Sequence, residues 1–169
     1  MISHADEIKK AIEDIDFDIP KHKKILIKPN ILGQHTPEQA VTTHPAIVEA
    51  IVKLFHGNDI YIGDSTGLPI DGGTNKALEI TGMKKIADKH NCKLVNLETF
   101  TAKIIKDENA KILKELKISG LVFDVDLVIN VPKLKTHTLM RYTGAVKNLF
   151  GTIPGGNKSR LHALGKKKS

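Results

Sequence analysis

Three polar segments follow apolar runs, and their side chains are of the kinds that bind anions or move protons. They are KPN at 28–30, GDSTG at 63–67 and NVPKLKTH at 130–137. Ammonium groups and loop amides attract phosphates and carboxylates, whereas Asp and His transfer protons. In an open α/β sheet, ligands bind outside the carboxyl ends of the strands. If each apolar run is a strand, the three segments meet at one crevice, and the sequence predicts a small anionic ligand there.

The candidate site residues lie in these segments and just beyond the third. The candidate catalytic residues are Asp64, His137 and Lys147, and the candidate ligand-binding residues are Lys28, Asn30, Ser65, Thr66, Lys133, Lys135 and Asn148. No metal-ligand set is predicted. A helix over 143–151 is expected to place Lys147 in its first turns, where backbone amides favour an anion. The stretch PGGNKSR at 154–160 is expected to close over the ligand as a lid.

Other site types receive less support from the motifs. GDSTG fits the bare nucleophile-elbow pattern G-x-S-x-G, but an Asx turn at the end of a strand explains the same residues. The phosphate-binding patterns G-x-x-x-x-G-K-[ST] and G-x-G-x-x-G and the zinc pattern H-E-x-x-H are absent from the sequence. His44, which precedes Pro45, is predicted to cap a helix.

The charge is distributed unevenly. The chain has 169 residues and a net charge of +7, yet residues 127–169 contain nine cations and no carboxylate. Such a segment is expected to face an anion. The alternative is a module that binds nucleic acid or an acidic partner through 127–169. Against it, only Tyr142 and Phe150 are aromatic there, and no nucleic-acid-binding signature is present.

The elements that must position these residues alternate between strands and helices. Strands are predicted at 24–28, 59–63, 93–97 and 127–131, the last as a buried strand, and helices separate the first three. A hairpin is predicted around DENA, with strands AKIIK at 102–106 and AKILKEL at 110–116. The pattern predicts a Rossmann-like α/β fold, with a mainly parallel central sheet flanked by helices.

Length and composition limit the remaining possibilities. One α/β domain is expected over 1–157, followed by a basic flexible tail over 158–169. No window approaches the roughly 18 apolar residues that a membrane span needs, so no membrane partner is predicted. The single cysteine, Cys92, excludes an internal disulfide and an iron–sulfur cluster ligated by this chain alone. A cytoplasmic protein is expected.

Four segments together resemble a known family. LIKPN at 26–30, VTTHP at 41–45, GDSTG, and the run from INVPKLKTH to GTIPG are similar, in order and spacing, to domain-of-unknown-function family 362. The family has no generally established activity. Its members are commonly described as iron–sulfur-associated because many carry a ferredoxin-type module. The resemblance implies an anion- or cofactor-binding domain of a redox or metal-cofactor enzyme, with a ferredoxin-type module or partner supplying any cluster.

A second resemblance concerns the nickel-pincer lactate racemases. His137 and Lys147 are ten residues apart and are followed by Pro154-Gly155, similar to the acid/base histidine, the cofactor-tethering lysine and the turn of that family. His162 matches the metal-ligand histidine approximately. The G-x-H-R-P segment has no counterpart, because this chain has GDSTGLP there. The resemblance implies a nickel-pincer cofactor on a scaffold without two-base racemisation.

Overall fold

The structure, a computed structural model, describes residues 4–66, 72–137 and 141–155 together with Lys158 and Leu161. A four-stranded parallel sheet forms its centre. The strands are β1 (Lys24–Pro29), β2 (Asp59–Asp64), β3 (Lys93–Asn96) and β6 (Leu127–Val131), in the spatial order β3-β2-β1-β6. All three pairings are parallel, so the predicted α/β class with a mainly parallel sheet is confirmed.

The helices that flank the sheet begin and end where local chemistry requires. They are α1 (His4–Asp14), α2 (Pro45–Leu54), α3 (Gly73–Ile80) and α4 (Met83–His90), with a short α5 (Leu121–Asp124). His44 caps α2, because its Nδ1 accepts a hydrogen bond from the Ala46 amide at 3.2 Å, as predicted. Gly82 has a φ of 82°, which ends the run of α3 and lets α4 start in a new direction.

Strand β1 is buried on both faces and organises the core. Ile25 and Ile27 belong to a large cluster that includes Val48 of α2. Leu26 points to the other face and packs in a second cluster with Leu97. All three β1 side chains have no solvent exposure. The strand therefore holds a fixed position, and its carboxyl end is a rigid platform for Lys28 and the residues after it.

Four strands differ from what the sequence predicts. The hairpin consists of β4 (Ala102–Lys106) and β5 (Glu115–Ser119), so the second strand begins five residues later than 110–116. A further hairpin, β7 (Lys135–His137) with β8 (Arg141–Thr143), was not predicted. Strand β6 lies at the edge of the sheet, and its first four residues are half-buried rather than buried. An edge strand has a neighbour on one side only, which leaves its side chains partly in contact with solvent.

The predicted helix over 143–151 is also wrong in length. It is a four-residue helix, α6 (Ala145–Asn148), followed by a 3-10 turn, η3 (Leu149–Thr152). A single turn has little dipole, so the helix-dipole argument for an anion at Lys147 does not apply. The predicted tail lies mostly outside the described residues, and the division after residue 157 stays a prediction. None of the described helices is long and apolar enough to cross a membrane.

Candidate functional site

A buried ion pair joins the carboxyl ends of β1 and β2. Lys28 Nζ lies 2.8 Å from Asp64 Oδ1, and the side chains are 0% and 3% exposed. Asp64 also accepts the backbone amides of Ile31 and Ser65, each at 2.8 Å. Lys28 donates its second hydrogen bond to the Pro29 carbonyl at 3.1 Å. The pair therefore fastens the two strand ends and the loops that leave them. These contacts give Asp64 a positioning role, and its predicted catalytic role stays a prediction.

The backbone of Gly151 covers this ion pair. A Cβ built on Gly151 would lie 2.5 Å from Lys28 Nζ and closer still to Asp64 Oδ1. No side chain fits there without displacing the pair. The Gly151 carbonyl accepts a hydrogen bond from Ser65 Oγ at 2.9 Å, so η3 is held directly over β2. Sequence reasoning missed Gly151 as a site residue, because only the fold brings residue 151 to residues 28 and 64.

Lys158, which the sequence assigns to the tail, is packed against the same loop. It is 8% exposed, and its Nζ donates to the Ser65 carbonyl oxygen at 2.7 Å and also to Ser65 Oγ. Burial lowers the pKa of Lys158 to about 8, and the nearby carboxylates of Asp64 and Glu98 oppose this shift. Ser65 thus contacts the ammonium group of Lys158 and the carbonyl of Gly151. Its predicted ligand-binding role stays a prediction.

Three asparagines, the buried Asn148 and the half-buried Asn30 and Asn130, link the ends of β1 and β6 to α6. Asn148 is 3% exposed, and its Nδ2 donates to Asn130 Oδ1 at 2.8 Å and to the Lys28 carbonyl at 3.3 Å. Its Oδ1 accepts from Asn30 Nδ2 at 3.1 Å. Asn130 in turn donates to the Ala145 carbonyl at 2.8 Å. This network fixes the orientation of Asn30 and its neighbours. Asn130 is a further site residue that the sequence reasoning did not select.

Lys135 extends the network to the β7–β8 hairpin. Its Nζ donates to Asn30 Oδ1 at 2.8 Å and to the Val41 carbonyl at 2.6 Å, both neutral oxygens. Burial lowers the pKa of Lys135, and the positive charges of Lys147 and Lys133 lower it further. The charges of Lys147 and Lys133 therefore act on the Lys135 ammonium group at the carboxyl end of the sheet, and the carboxylate of Asp64 opposes their effect.

The other predicted residues occupy defined places around this cluster. Lys147 is half-buried in α6, with its Nζ 5.8 Å from the centre of the Phe150 ring, and burial lowers its pKa. His137 is half-buried and pairs with Arg141 across the hairpin. Because side chains alternate along a strand, His137 and Lys135 share one face of the hairpin. The Oγ1 of Thr66 lies 3.1 Å from Oγ1 of Thr74 in α3, within hydrogen-bond distance.

The described residues do not fit an iron–sulfur cluster at the carboxyl ends of the strands. Cys92 precedes β3 and lies at the amino ends of the strands, beside His56 and His90, at the opposite end of the sheet. Burial raises the pKa of its thiol, which disfavours the thiolate that binds metals. Among the described residues, no three His, Cys, Asp or Glu side chains come together as metal ligands would.

Part of the nickel-pincer prediction lies beyond what the structure describes. His162 and most of the predicted lid at 154–160 are outside the described residues. His137 and Lys147 are within them, on β7 and α6. The nickel-pincer resemblance therefore stays a prediction.

The fold and the contacts define a class: an α/β domain whose parallel strands carry a buried Lys–Asp pair and an asparagine network at their carboxyl ends. The chain belongs to the family described as domain of unknown function DUF362, whose model matches residues 25–169. This confirms the first resemblance. The chain is similar to the thylakoid-associated protein sll1697 of Synechocystis sp. (strain ATCC 27184 / PCC 6803 / Kazusa), with 31% identity over 141 residues. The match covers 82% of this chain and 42% of that protein. No solved structure matches the chain.

Proposed function

We propose that the protein binds a small anionic ligand in the crevice at the carboxyl ends of β1 and β6. The observation that carries the proposal is the half-buried Lys135, which donates to two neutral oxygens and whose pKa is lowered by burial and by the charges of Lys147 and Lys133. Both oxygens that accept from Lys135 are neutral, so its charge is available to a ligand. The network of Asn30, Asn130 and Asn148 keeps the surrounding groups in place before a ligand arrives, which lowers the entropic cost of binding.

Half-burial of these lysines favours a small ligand over nucleic acid. All three have intermediate exposure, whereas a nucleic-acid face presents its cations outward along a flat surface. Titration with single-stranded and duplex nucleic acid tests the alternative. Tight binding with a steep fall in affinity as salt increases, unchanged in the Lys135→Met variant, would support the alternative and contradict the proposal.

A direct test measures anion binding by calorimetry in the wild type and in two variants of equal net charge. Inorganic phosphate, acetate and malonate are the probes. Lys135→Met removes a cation from the crevice, and Lys117→Met removes an exposed cation from β5 in the separate β4–β5 hairpin. We expect at least a tenfold loss of affinity in the first variant and less than a twofold change in the second. Equal affinities in both variants, or no binding of any probe to the wild type, would contradict the proposal.

The proposal includes a cytoplasmic location and a ferredoxin-type partner for any redox function. The single free cysteine, Cys92, supports a reducing compartment. The family resemblance supports the ferredoxin-type module. Fractionation of cells that express the full-length protein tests the location, and recovery in the membrane fraction would contradict it. Co-purification of a cluster-bearing partner, identified by its visible absorption, tests the second point.

A further inference from the structure

In the part of the chain that the structure describes, a buried hydroxyl on the hairpin that carries Lys135 lacks a hydrogen-bond partner. Thr143 is 3% exposed, and its Oγ1 has no partner in the described part of the chain. Leaving a buried hydroxyl unpaired is unfavourable, so such groups are rare in folded proteins. Its position at the end of β8 is next to the proposed crevice. An unpaired group at this place is explained if a ligand supplies the partner.

The strand register places this hydroxyl beside Lys135. Thr143 and Lys135 are direct partners across the β7–β8 hairpin. Directly opposed residues on antiparallel strands present their side chains on the same face, with Cβ atoms about 5 Å apart. On that face the Lys135 side chain extends to Asn30 and to the carbonyl of Val41. The unpaired hydroxyl therefore belongs to the same face of the hairpin as the lysine that carries the proposed function.

We propose that Thr143, Lys133, Lys135 and Lys147 form a subsite for the phosphoryl group of the ligand. This inference rests on the proposed function. Three ammonium groups match a dianion better than a single carboxylate. Lysine binds phosphate as a point charge, whereas planar carboxylates are matched by the fork of arginine. A phosphoryl group also offers three acceptor oxygens, and together these can accept hydrogen bonds from the three lysines and from the Thr143 hydroxyl. The ligand class is therefore a phosphate ester or a free phosphate.

The Thr143→Val variant tests the role of the hydroxyl, because valine has nearly the same shape. Without phosphate, the variant should melt at a higher temperature than the wild type, since an unpaired buried hydroxyl has been removed. Its affinity for inorganic phosphate should fall about tenfold to a hundredfold, the loss of one hydrogen bond to a charged group. Thr143→Ser keeps a hydroxyl and should bind phosphate within a few-fold of the wild type.

Ser119 provides a matched control. It is fully buried at the end of β5, and its Oγ also has no partner among the described residues. Ser119→Ala should raise the melting temperature in the same way and leave the affinity for phosphate unchanged. A similar loss of affinity in Ser119→Ala would overturn the assignment of the hydroxyl.

The outcomes separate this inference from the proposed function. If Thr143→Val binds phosphate as tightly as the wild type while Lys135→Met does not, the phosphoryl subsite is wrong and anion binding stands. If acetate binds the wild type as tightly as phosphate, the assignment of the ligand class is wrong. If neither phosphate nor a carboxylate binds, the proposed function itself fails. A phosphate monoester such as glycerol phosphate, compared with inorganic phosphate, distinguishes an esterified ligand from the free ion.

Discussion

Replacing Asp64 by Asn removes one partner of the buried ion pair and leaves the other charge in the protein interior. At the 2.8 Å separation of Lys28 Nζ and Asp64 Oδ1, the attraction is about 6 kcal/mol for an effective dielectric constant of about 20. The Asn Oδ1 and the Pro29 carbonyl, 3.1 Å from Lys28 Nζ, still accept from the ammonium group and offset part of that loss. Breaking a buried pair costs about 3–5 kcal/mol, and we expect a loss within this range.

Urea unfolding followed by circular dichroism measures the loss. With an m-value of about 2 kcal/mol per molar urea, the midpoint should fall by about 2 M. Asp88→Asn is the control, because Asp88 is 66% exposed and pairs with Lys84 at 3.0 Å on the surface of α4. Exposed pairs contribute about 0–1 kcal/mol, so the control should stay close to the wild type.

The double variant Lys28→Met/Asp64→Asn distinguishes the effect of an unpaired buried charge from the effect of a packing defect. With the ammonium gone, no unpaired charge is buried, and the double variant should be more stable than Asp64→Asn alone by about 2 kcal/mol. A loss below about 1 kcal/mol in Asp64→Asn, or a double variant less stable than the single one, would refute the reasoning. The pair would then not hold the strand ends together.

Three other variants probe the contacts around the ion pair. Gly151→Ala should cost about 1–3 kcal/mol in urea unfolding, because its Cβ would lie 2.5 Å from Lys28 Nζ; wild-type stability would contradict this packing. The pKa of Lys158 is about 8 in the folded protein, whereas the ordinary value of 10.5 applies in the unfolded chain. Between pH 8 and 10.5 the unfolded state therefore binds more protons than the folded state. The free energy of unfolding should therefore rise by up to about 3 kcal/mol from pH 8 to 10.5, and Lys158→Met should lack this rise; equal slopes would contradict it. Asn148→Leu should cost about 1–3 kcal/mol because the buried Lys28 carbonyl and the Asn130 Oδ1 lose the donor that Asn148 supplies, and an unchanged urea midpoint would show that the network contributes little.

Local patterns were sufficient to predict the central elements. The apolar runs at 24–28 and 59–63 are strands, and His44 with Pro45 starts α2, because a cap and a fixed proline φ act within a few residues. The fold class followed from the alternation of such elements. The position of Lys28, Asn30 and Asp64 at the carboxyl ends of β1 and β2 was likewise predictable, since in parallel sheets that edge collects the loops. The ligand crevice expected there stays a prediction.

Weak local signals explain the errors. Strand β5 (Glu115–Ser119) begins five residues later than predicted because the alternation of Leu116 and Ile118, and not the apolar residues of 110–113, matches the β4 register. Strands β7 and β8 have three residues each, too few for a periodic pattern to emerge. The edge position of β6 cannot be seen in its apolar sequence, which resembles that of a central strand.

The sequence by itself determined the central strands and helices, the acid-free cationic segment and the residue types available to bind an anion. Only the tertiary structure decided which of them meet. Lys28 and Asp64 pair across 36 positions, Gly151 closes over both, and Lys158 reaches Ser65 from 93 positions away. The unpaired hydroxyl of Thr143 is equally invisible in the sequence, because hydrogen-bond satisfaction depends on every neighbour in space. Short-range propensity acts within a few residues, whereas these contacts follow from the order and register of strands that are distant in the chain.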